Sequence, residues 1–313
     1  MDTMDFAPEA DQPVSYMART RAWYLALGYD NPYRWAHYLD VPFTTLQKPL
    51  AQNRVALITT AAPFNPEHGD QSPQAPYNAK AKFYEVYTGS TSEDHDVRIV
   101  HVAIDRQHGP MTDANSWFPL PKMRALAEQE VFELGPRFYG APTNRSQRQT
   151  LESDCPRILE LCREDGIDAV VLVANCPVCH QTLSLIARHL EAHGISTVIM
   201  GCAKDIPEYC GVPRFLFSDF PLGNAAGKPH DEASQQETLE MALTLLERAF
   251  APRTTVQSPQ RWSDDADWKL DYSNPDRTSP EEMAKLRAQA DEAKAEIARL
   301  KGKEPPAPAC ALN

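Results

Sequence analysis

The sequence has no run of the roughly eighteen apolar residues that a membrane-crossing helix requires, so no spanning helix is expected. Its opening, Met1-Asp2-Thr3-Met4-Asp5, is acidic where a secretory leader would be basic and then apolar, which predicts a cytoplasmic protein. Clusters of positive charge are missing too. The formal net charge is -12 and the basic residues are scattered. That balance repels phosphate backbones and anionic lipid, so neither nucleic acid nor a membrane is an expected partner. Cysteine is too sparse for a disulfide scaffold. There are seven in 313 residues, and the odd number leaves at least one unpaired, so free thiols in a reducing compartment are the expectation. No internal repeat divides the chain.

What is present is ordinary for a soluble globular protein, 42% hydrophobic and 24% charged, with length enough for one large α/β domain or two lobes. The chain is organised around Asp168-Ala169-Val170-Val171-Leu172-Val173-Ala174-Asn175-Cys176-Pro177-Val178-Cys179-His180. Its continuous apolar run reads as a strand buried on both faces, and Leu183, Leu185, Ile186 and Leu190 then recur at helical spacing. Two thiols therefore fall between a strand's carboxyl end and a helix's amino end, where free backbone N–H groups and the helix dipole favour thiolate over thiol.

In chain order, the polar first residues precede a short helix over Val14–Leu27, ended by Gly28, and an aromatic segment through Tyr38 that reads as an arm laid across the core. Strands are expected over Arg54–Ala62, Asp96–Ile104, Ile195–Met200 and Pro213–Phe220, and helices over Pro121–Glu130, Ser146–Glu164 and Asp231–Phe250. The alternation predicts an α/β fold, a mostly parallel sheet flanked by helices in a Rossmann-like manner. The domain plan is an N-terminal arm over 1–50, an α/β domain over 51–252 with lobes 51–145 and 146–252, and a docking segment with a C-terminal helix over 253–313. In such sheets the working crevice lies outside the carboxyl ends of the strands. That rule gathers the loops Pro63–Asp70, Asp105–Asn115 and Asp219–Lys228 with the cysteine turn, and with them His68, His108, Asp113, Asn115 and Asp219 as candidate substrate-binding residues. Ser279-Pro280-Glu281-Glu282 starts a charged helix running to Lys301, and the flexible end carries Cys310.

Cys176-Pro177-Val178-Cys179 has the one-turn spacing that lets a second sulfur reach the first. With His180 it also spells a haem-attachment signature, but it lies between a buried strand and a helix, and no haem is expected. No second C-x-x-C supplies a structural zinc site; a metal shared with Cys202 and Cys210, and inert core thiols like Cys155 and Cys162, stay open beside a redox pair. Gly223-Asn224-Ala225-Ala226-Gly227-Lys228-Pro229 has the outline of a phosphate loop but the wrong glycine spacing, and a proline where a hydroxyl would hold magnesium. Gly223 and Gly227 admitting a ligand to the backbone, with Asn224 and Lys228 donating to a carboxylate, fit better. His68, His101, His108 and His180 are acid–base candidates, His180 by adjacency to Cys179.

The block Val171–Thr182, the loop Ser218–Pro229, and Asp113-Ala114-Asn115 with Phe118-Pro119-Leu120 resemble the glycine/sarcosine/betaine/D-proline reductase family, selenoprotein B component, over roughly residues 50 to 250. Members of that family use selenocysteine, or cysteine in its place, in a U-x-x-C arrangement to cleave a carbon–nitrogen bond reductively. Carried over, the selenocysteine position falls on Cys176, here a cysteine, and the second thiol on Cys179. The resemblance implies an oxidoreductase in which Cys176 attacks a small, polar, amino-acid-like substrate. Cys179 then closes a disulfide, and His180, His68 or Asp219 protonates the leaving group. An external dithiol or thioredoxin restores the pair, and no bound cofactor or metal is expected. It also implies a pyruvoyl-containing or redox partner subunit, and a homo-oligomer is expected. Rival readings of the same C-x-x-C are a zinc or iron protein and a non-catalytic subunit docking its partner through the tail.

Overall fold

The computed structural model describes residues 12–29, 33–73, 75, 84–101, 103–143 and 146–300. The polar beginning of the chain through Asp11, and the end from Lys301 with Cys310, lie outside the described residues. Two compact units form, Trp35–Asp264 and a second one made by the two ends, Met1–Arg34 with Asp265–Asn313. The first helix, α1 (Tyr16–Ala26), belongs to the unit of the ends.

Trp35–Asp264 is built on one eight-stranded sheet. Its strands are β1 (Arg54–Thr59), β3 (Tyr87–Ser90), β5 (Glu133–Leu134), β6 (Arg137–Gly140), β7 (Ala169–Val173), β8 (Ser196–Gly201), β9 (Arg214–Phe217) and β10 (Thr254–Gln257), with β2 (Ala62–Pro63) and β4 (Val97–Arg98) forming a separate small ladder. The spatial order is β10-β9-β8-β7-β1-β6-β3, with β5 beside β1. Neighbours run parallel except β3, which is antiparallel to β6. This is the α/β fold the alternation predicts. Strand β7 shows why: flanked by β1 and β8, all five of its residues are buried, as in a strand covered on both faces.

The helices are α2 (Leu120–Glu128), α3 (Cys155–Glu164) following a π-helical segment over Thr150–Asp154, α4 (Pro177–Glu191), α5 (Asp205–Cys210) and α6 (Glu232–Arg248). Helix α4 packs on α3 and α5, while α2 packs on α6. All residues of α4 except Val178 and His189 are buried, because a strap formed by residues 36–44 covers the side the sheet does not. Ala36 N–H donates to Gln181 Oε1 (2.7 Å), Arg188 donates to Asp40 O (2.7 Å) with its guanidinium 4.0 Å above the Tyr38 ring, and Thr44 donates to Glu191. Behind the strap, Arg214 and Glu191 form a fully buried ion pair at 2.7 Å, and Phe43 lies against the guanidinium.

The predicted strand over Asp96–Ile104 is corrected. Among its described residues only Val97–Arg98 is a strand, and it pairs with Ala62–Pro63 away from the main sheet. Arg106 is the physical reason: its guanidinium binds the carbonyls of His101 (2.9 Å) and Ile99 (3.0 Å), which a ladder would have needed. The place beside β1 is taken instead by Glu133–Gly140, a run broken by Gly135-Pro136 and so without strand periodicity in the sequence.

The unit of the ends holds α1, α7 (Trp268–Asp271) and α8 (Pro280–Leu300). Arg19 donates to the carbonyls of Leu270 (3.1 Å) and Tyr272 (2.9 Å), and Tyr16 meets Tyr272 edge-on at 5.3 Å. The Ser279 hydroxyl accepts the N–H of Glu282 at 3.1 Å, so the predicted helix start is capped as read. No described helix is long and apolar enough to cross a membrane.

Candidate active site

Register sets the stage. Thr59 lies opposite Val173, and Val173 opposite Met200, so β1, β7 and β8 end level. From β1 the chain moves to one side of the sheet, toward β5 and β6, and from β7 it moves to the other, toward β8. That reversal opens a crevice outside the carboxyl ends of β1 and β7, the usual ligand position in such sheets. The C-x-x-C turn sits there.

Asn175 is fully buried and donates to Thr60 Oγ1 at 3.2 Å, tying the two strand ends together. Cys176 has extended backbone and acts as the N-cap of α4, its Sγ accepting the N–H of Cys179 at 3.3 Å. Pro177 follows at a position where a missing N–H costs nothing. One helical turn then brings the Sγ atoms of Cys176 and Cys179 to 2.7 Å. Burial opposes ionisation of Cys179, but hydrogen bonds from Cys176 and Thr60 and the charge of His101 outweigh it and bring the thiol well below its ordinary range. Four cysteines outside the pair contrast with it. Burial pushes Cys155 and Cys162 up to about 12 and Cys210 up to about 11, and it pushes Cys202 higher still.

Of the four candidate histidines, His101 is the one brought to the sulfurs. It is buried, its Nε2 meets Thr143 Oγ1 at 2.9 Å, and its ligand atom lies within 4.8 Å of both Sγ atoms. Arg106 adds a half-buried cation close enough to interact with Cys176. Tyr84 closes the side toward β1 by donating to Thr60 O at 3.1 Å and Ala141 O at 3.3 Å. Cys202 and Cys210 do not join this cluster among the described residues.

His180, adjacent in sequence, is used differently. Its ring is fully buried, Nδ1 bonds to Cys176 O at 2.7 Å, and Nε2 accepts the N–H groups of Cys202 and Ala203 at 3.0 Å each. Burial pushes it down to about 4. Both ring nitrogens are engaged in holding the thiol turn against the end of β8.

Of the loops predicted to share the carboxyl edge, Asp105–Asn115 and Asp219–Lys228 converge. Asp105 N–H bonds Leu222 O (3.1 Å), Ala226 N–H bonds Ser116 O (2.8 Å), and Asp113 accepts from His230 N–H (2.8 Å) and Gln235 (2.7 Å) as well as from Asn115 N–H (3.0 Å). The Gly223–Lys228 loop is packed rather than open. A Cβ on Gly223 would meet Met111 Sδ at 2.6 Å, one on Gly227 would meet the Gln235 backbone at 2.6 Å, and both glycines hold positive φ, 107° and 120°. Asn224 is buried and donates to Pro221 O (2.9 Å), and Lys228 is half-buried with its N–H on Ser234 Oγ (2.9 Å). His108 pairs with Asp105 at 2.9 Å, Asp219 acts on Cys202 by its charge, and His68, half-buried, bonds Asn65 within its own loop.

Thr60, Tyr84, Arg106 and Thr143 carry no motif that marks them. The signal that could have pointed to Thr60 is its place just past a fully apolar strand; for the others only the folded chain makes the connection.

No family model matches the chain, and no solved structure matches it. It is 28% identical over 210 residues, 65% of this chain and 82% of the relative, to the D-proline reductase subunit gamma of Acetoanaerobium sticklandii. The chain is thus distantly related to the proline/glycine reductase family.

Proposed function

We propose that the protein is a thiol-dependent reductase that cleaves a bond in a small, polar, amino-acid-like substrate. Cys176 forms a bond from Sγ to an electrophilic carbon or heteroatom as the bond to nitrogen breaks, and the nitrogen takes up a proton. Cys179 then attacks Cys176 Sγ. A disulfide forms, the carbon leaves with the bonding pair and is protonated, and the two thiols have lost two electrons to the substrate. An external dithiol or thioredoxin-type protein returns those electrons. A pyruvoyl-bearing partner subunit is the proposed source of activation for an otherwise unreactive amine, and a cytoplasmic location suits the thiol chemistry.

The observation that carries this reading is the 2.7 Å approach of the two sulfurs at the amino end of α4, in the crevice between β1 and β7. The relative's name supports a reductase at the coarse level. The test is single-turnover reduction by pre-reduced protein, with D-proline and glycine-type substrates and the candidate partner subunit. Mass spectrometry of the Cys176–Cys179 peptide should show loss of two hydrogens as product appears. Turnover by Cys176→Ser at the wild-type rate would overturn the assignment.

A further inference from the structure

The thiol corner holds a third side chain able to ligate a metal, His101. His101 is 4% exposed, its Nδ1 is buried without a nitrogen or oxygen partner, and the ring hydrogen-bonds the Cys179 sulfur instead. The other nitrogen explains its orientation. Nε2 lies 2.9 Å from Thr143 Oγ1, and with Nε2–H donating to that hydroxyl Nδ1 carries the lone pair that a metal would take. A hydrogen-bond acceptor holding the far nitrogen is also the usual support of a metal-bound histidine, and the Thr143 hydroxyl can serve as one.

The neighbours of that lone pair are the two sulfurs. One ligand atom each from His101, Cys176 and Cys179 lies within 4.8 Å of the others, and all three residues are buried. We propose that His101 and the reduced Cys176–Cys179 pair together bind one borderline-soft divalent cation of the zinc class, with a fourth position left to an exchangeable ligand. Two thiolates and an imidazole are the donor set such an ion prefers, and three protein ligands are the pattern of sites that keep an open position. Among the described residues no fourth cysteine, histidine or carboxylate joins the cluster.

The geometry needs one adjustment. Zinc–sulfur bonds of about 2.3 Å in a tetrahedral site set the sulfurs about 3.8 Å apart, so the 2.7 Å contact opens by about 1 Å, within reach of a rotation of the Cys176 side chain. On binding, the one proton held between the two sulfurs goes to solvent and the cation takes its place. Charge then balances, two thiolates against one dication. The disulfide form has no anionic sulfur and does not bind. Occupancy and nucleophilic attack by Cys176 exclude each other, so the cation silences the pair. That last consequence rests on the reductase reading; the site itself does not.

The experiment uses the full chain, reduced anaerobically, titrated with Zn²⁺ and separately with Co²⁺, with bound metal counted by elemental analysis and the thiolate-to-cobalt charge-transfer band recorded. The reduced protein should bind one equivalent and show that band. The disulfide form and Cys176→Ser should lose the band. His101→Gln should weaken binding by tenfold or more, and Thr143→Val by about tenfold through the supporting shell. Circular dichroism on each variant separates loss of binding from loss of fold. A reduced wild type that takes up no stoichiometric metal, or a folded His101→Gln with wild-type affinity and spectrum, overturns the site. Neither result touches the turnover test of the reductase, and a metal-binding protein without turnover would sink the reductase reading alone.

Discussion

His180 Nε2 accepts the backbone N–H of Cys202 at 3.0 Å, joining the helix that carries the thiols to the end of the neighbouring strand. The bond requires a neutral ring, since a protonated Nε2 would point a hydrogen at two N–H donors. Burial holds the folded value down at about 4, below the ordinary 6.5. The sign follows. The stability that a neutral His180 contributes is whole above about pH 6.5 and is lost as pH falls toward 4, up to about 3 kcal/mol. Denaturant unfolding across that window should show the wild type losing stability, whereas His180→Gln should be weaker at pH 7 and flatter below it. Equal slopes for the two proteins would refute the assignment.

Alkylation should single out one thiol. Cys176 is the outer sulfur of the pair, 4% exposed against none for Cys179, and Cys155 and Cys162 are held protonated near 12 by burial. Mass spectrometry after brief iodoacetamide treatment at pH 7 should find Cys176 modified at least tenfold faster than Cys155 or Cys162. In Cys179→Ser the adduct or mixed disulfide on Cys176 should accumulate, because no second sulfur displaces it.

The Arg214–Glu191 pair is fully buried and also serves Thr44 and Thr197. Replacing Arg214 with Met strands a carboxylate and should cost about 3–5 kcal/mol. Adding Glu191→Gln to that variant should return part of the loss, because the orphaned charge is removed. Chemical denaturation of the single and double variants reads the coupling; simple additivity would show that the pair does not act as a unit.

A Cβ at Gly201 would sit 2.4 Å from His180 Nε2 and 3.0 Å from the Phe215 ring. His180 cannot swing aside without giving up three hydrogen bonds. Gly201→Ala should therefore cost about 1–3 kcal/mol and loosen the thiol turn, seen as a lower melting temperature together with slower disulfide closure between Cys176 and Cys179. A fall in melting temperature with unchanged closure would show that the ring does not position the turn.

Where a segment's own pattern decided its state, the sequence could be read. Val170–Val173 is apolar on both faces because the strand is central, and Ser279 caps its helix by local bonding. Glu133–Gly140 was illegible, since its strand state comes from β1 offering a free edge, and the Gly135-Pro136 break hides any alternation. Asp96–Ile104 failed in the opposite sense, because a guanidinium that arrives later in the chain claims its carbonyls. At the site, the spacing of Cys176 and Cys179 was sufficient to foresee their contact. The selection of His101 over three other histidines depends on how a loop folds back across the sheet edge, and nothing local encodes it.

The strap over α4 has a kinetic corollary. Ala36, Asp40 and Thr44 leave the ribosome early, but their anchors Gln181, Arg188 and Glu191 lie 145 to 148 residues further on. Loop closure over that distance is entropically expensive and slow, so the first part of this segment to be synthesised is among the last to dock. Until it does, the landing surface for those residues is wet, and nascent or refolding chains carry an unfinished helix face that a chaperone would recognise.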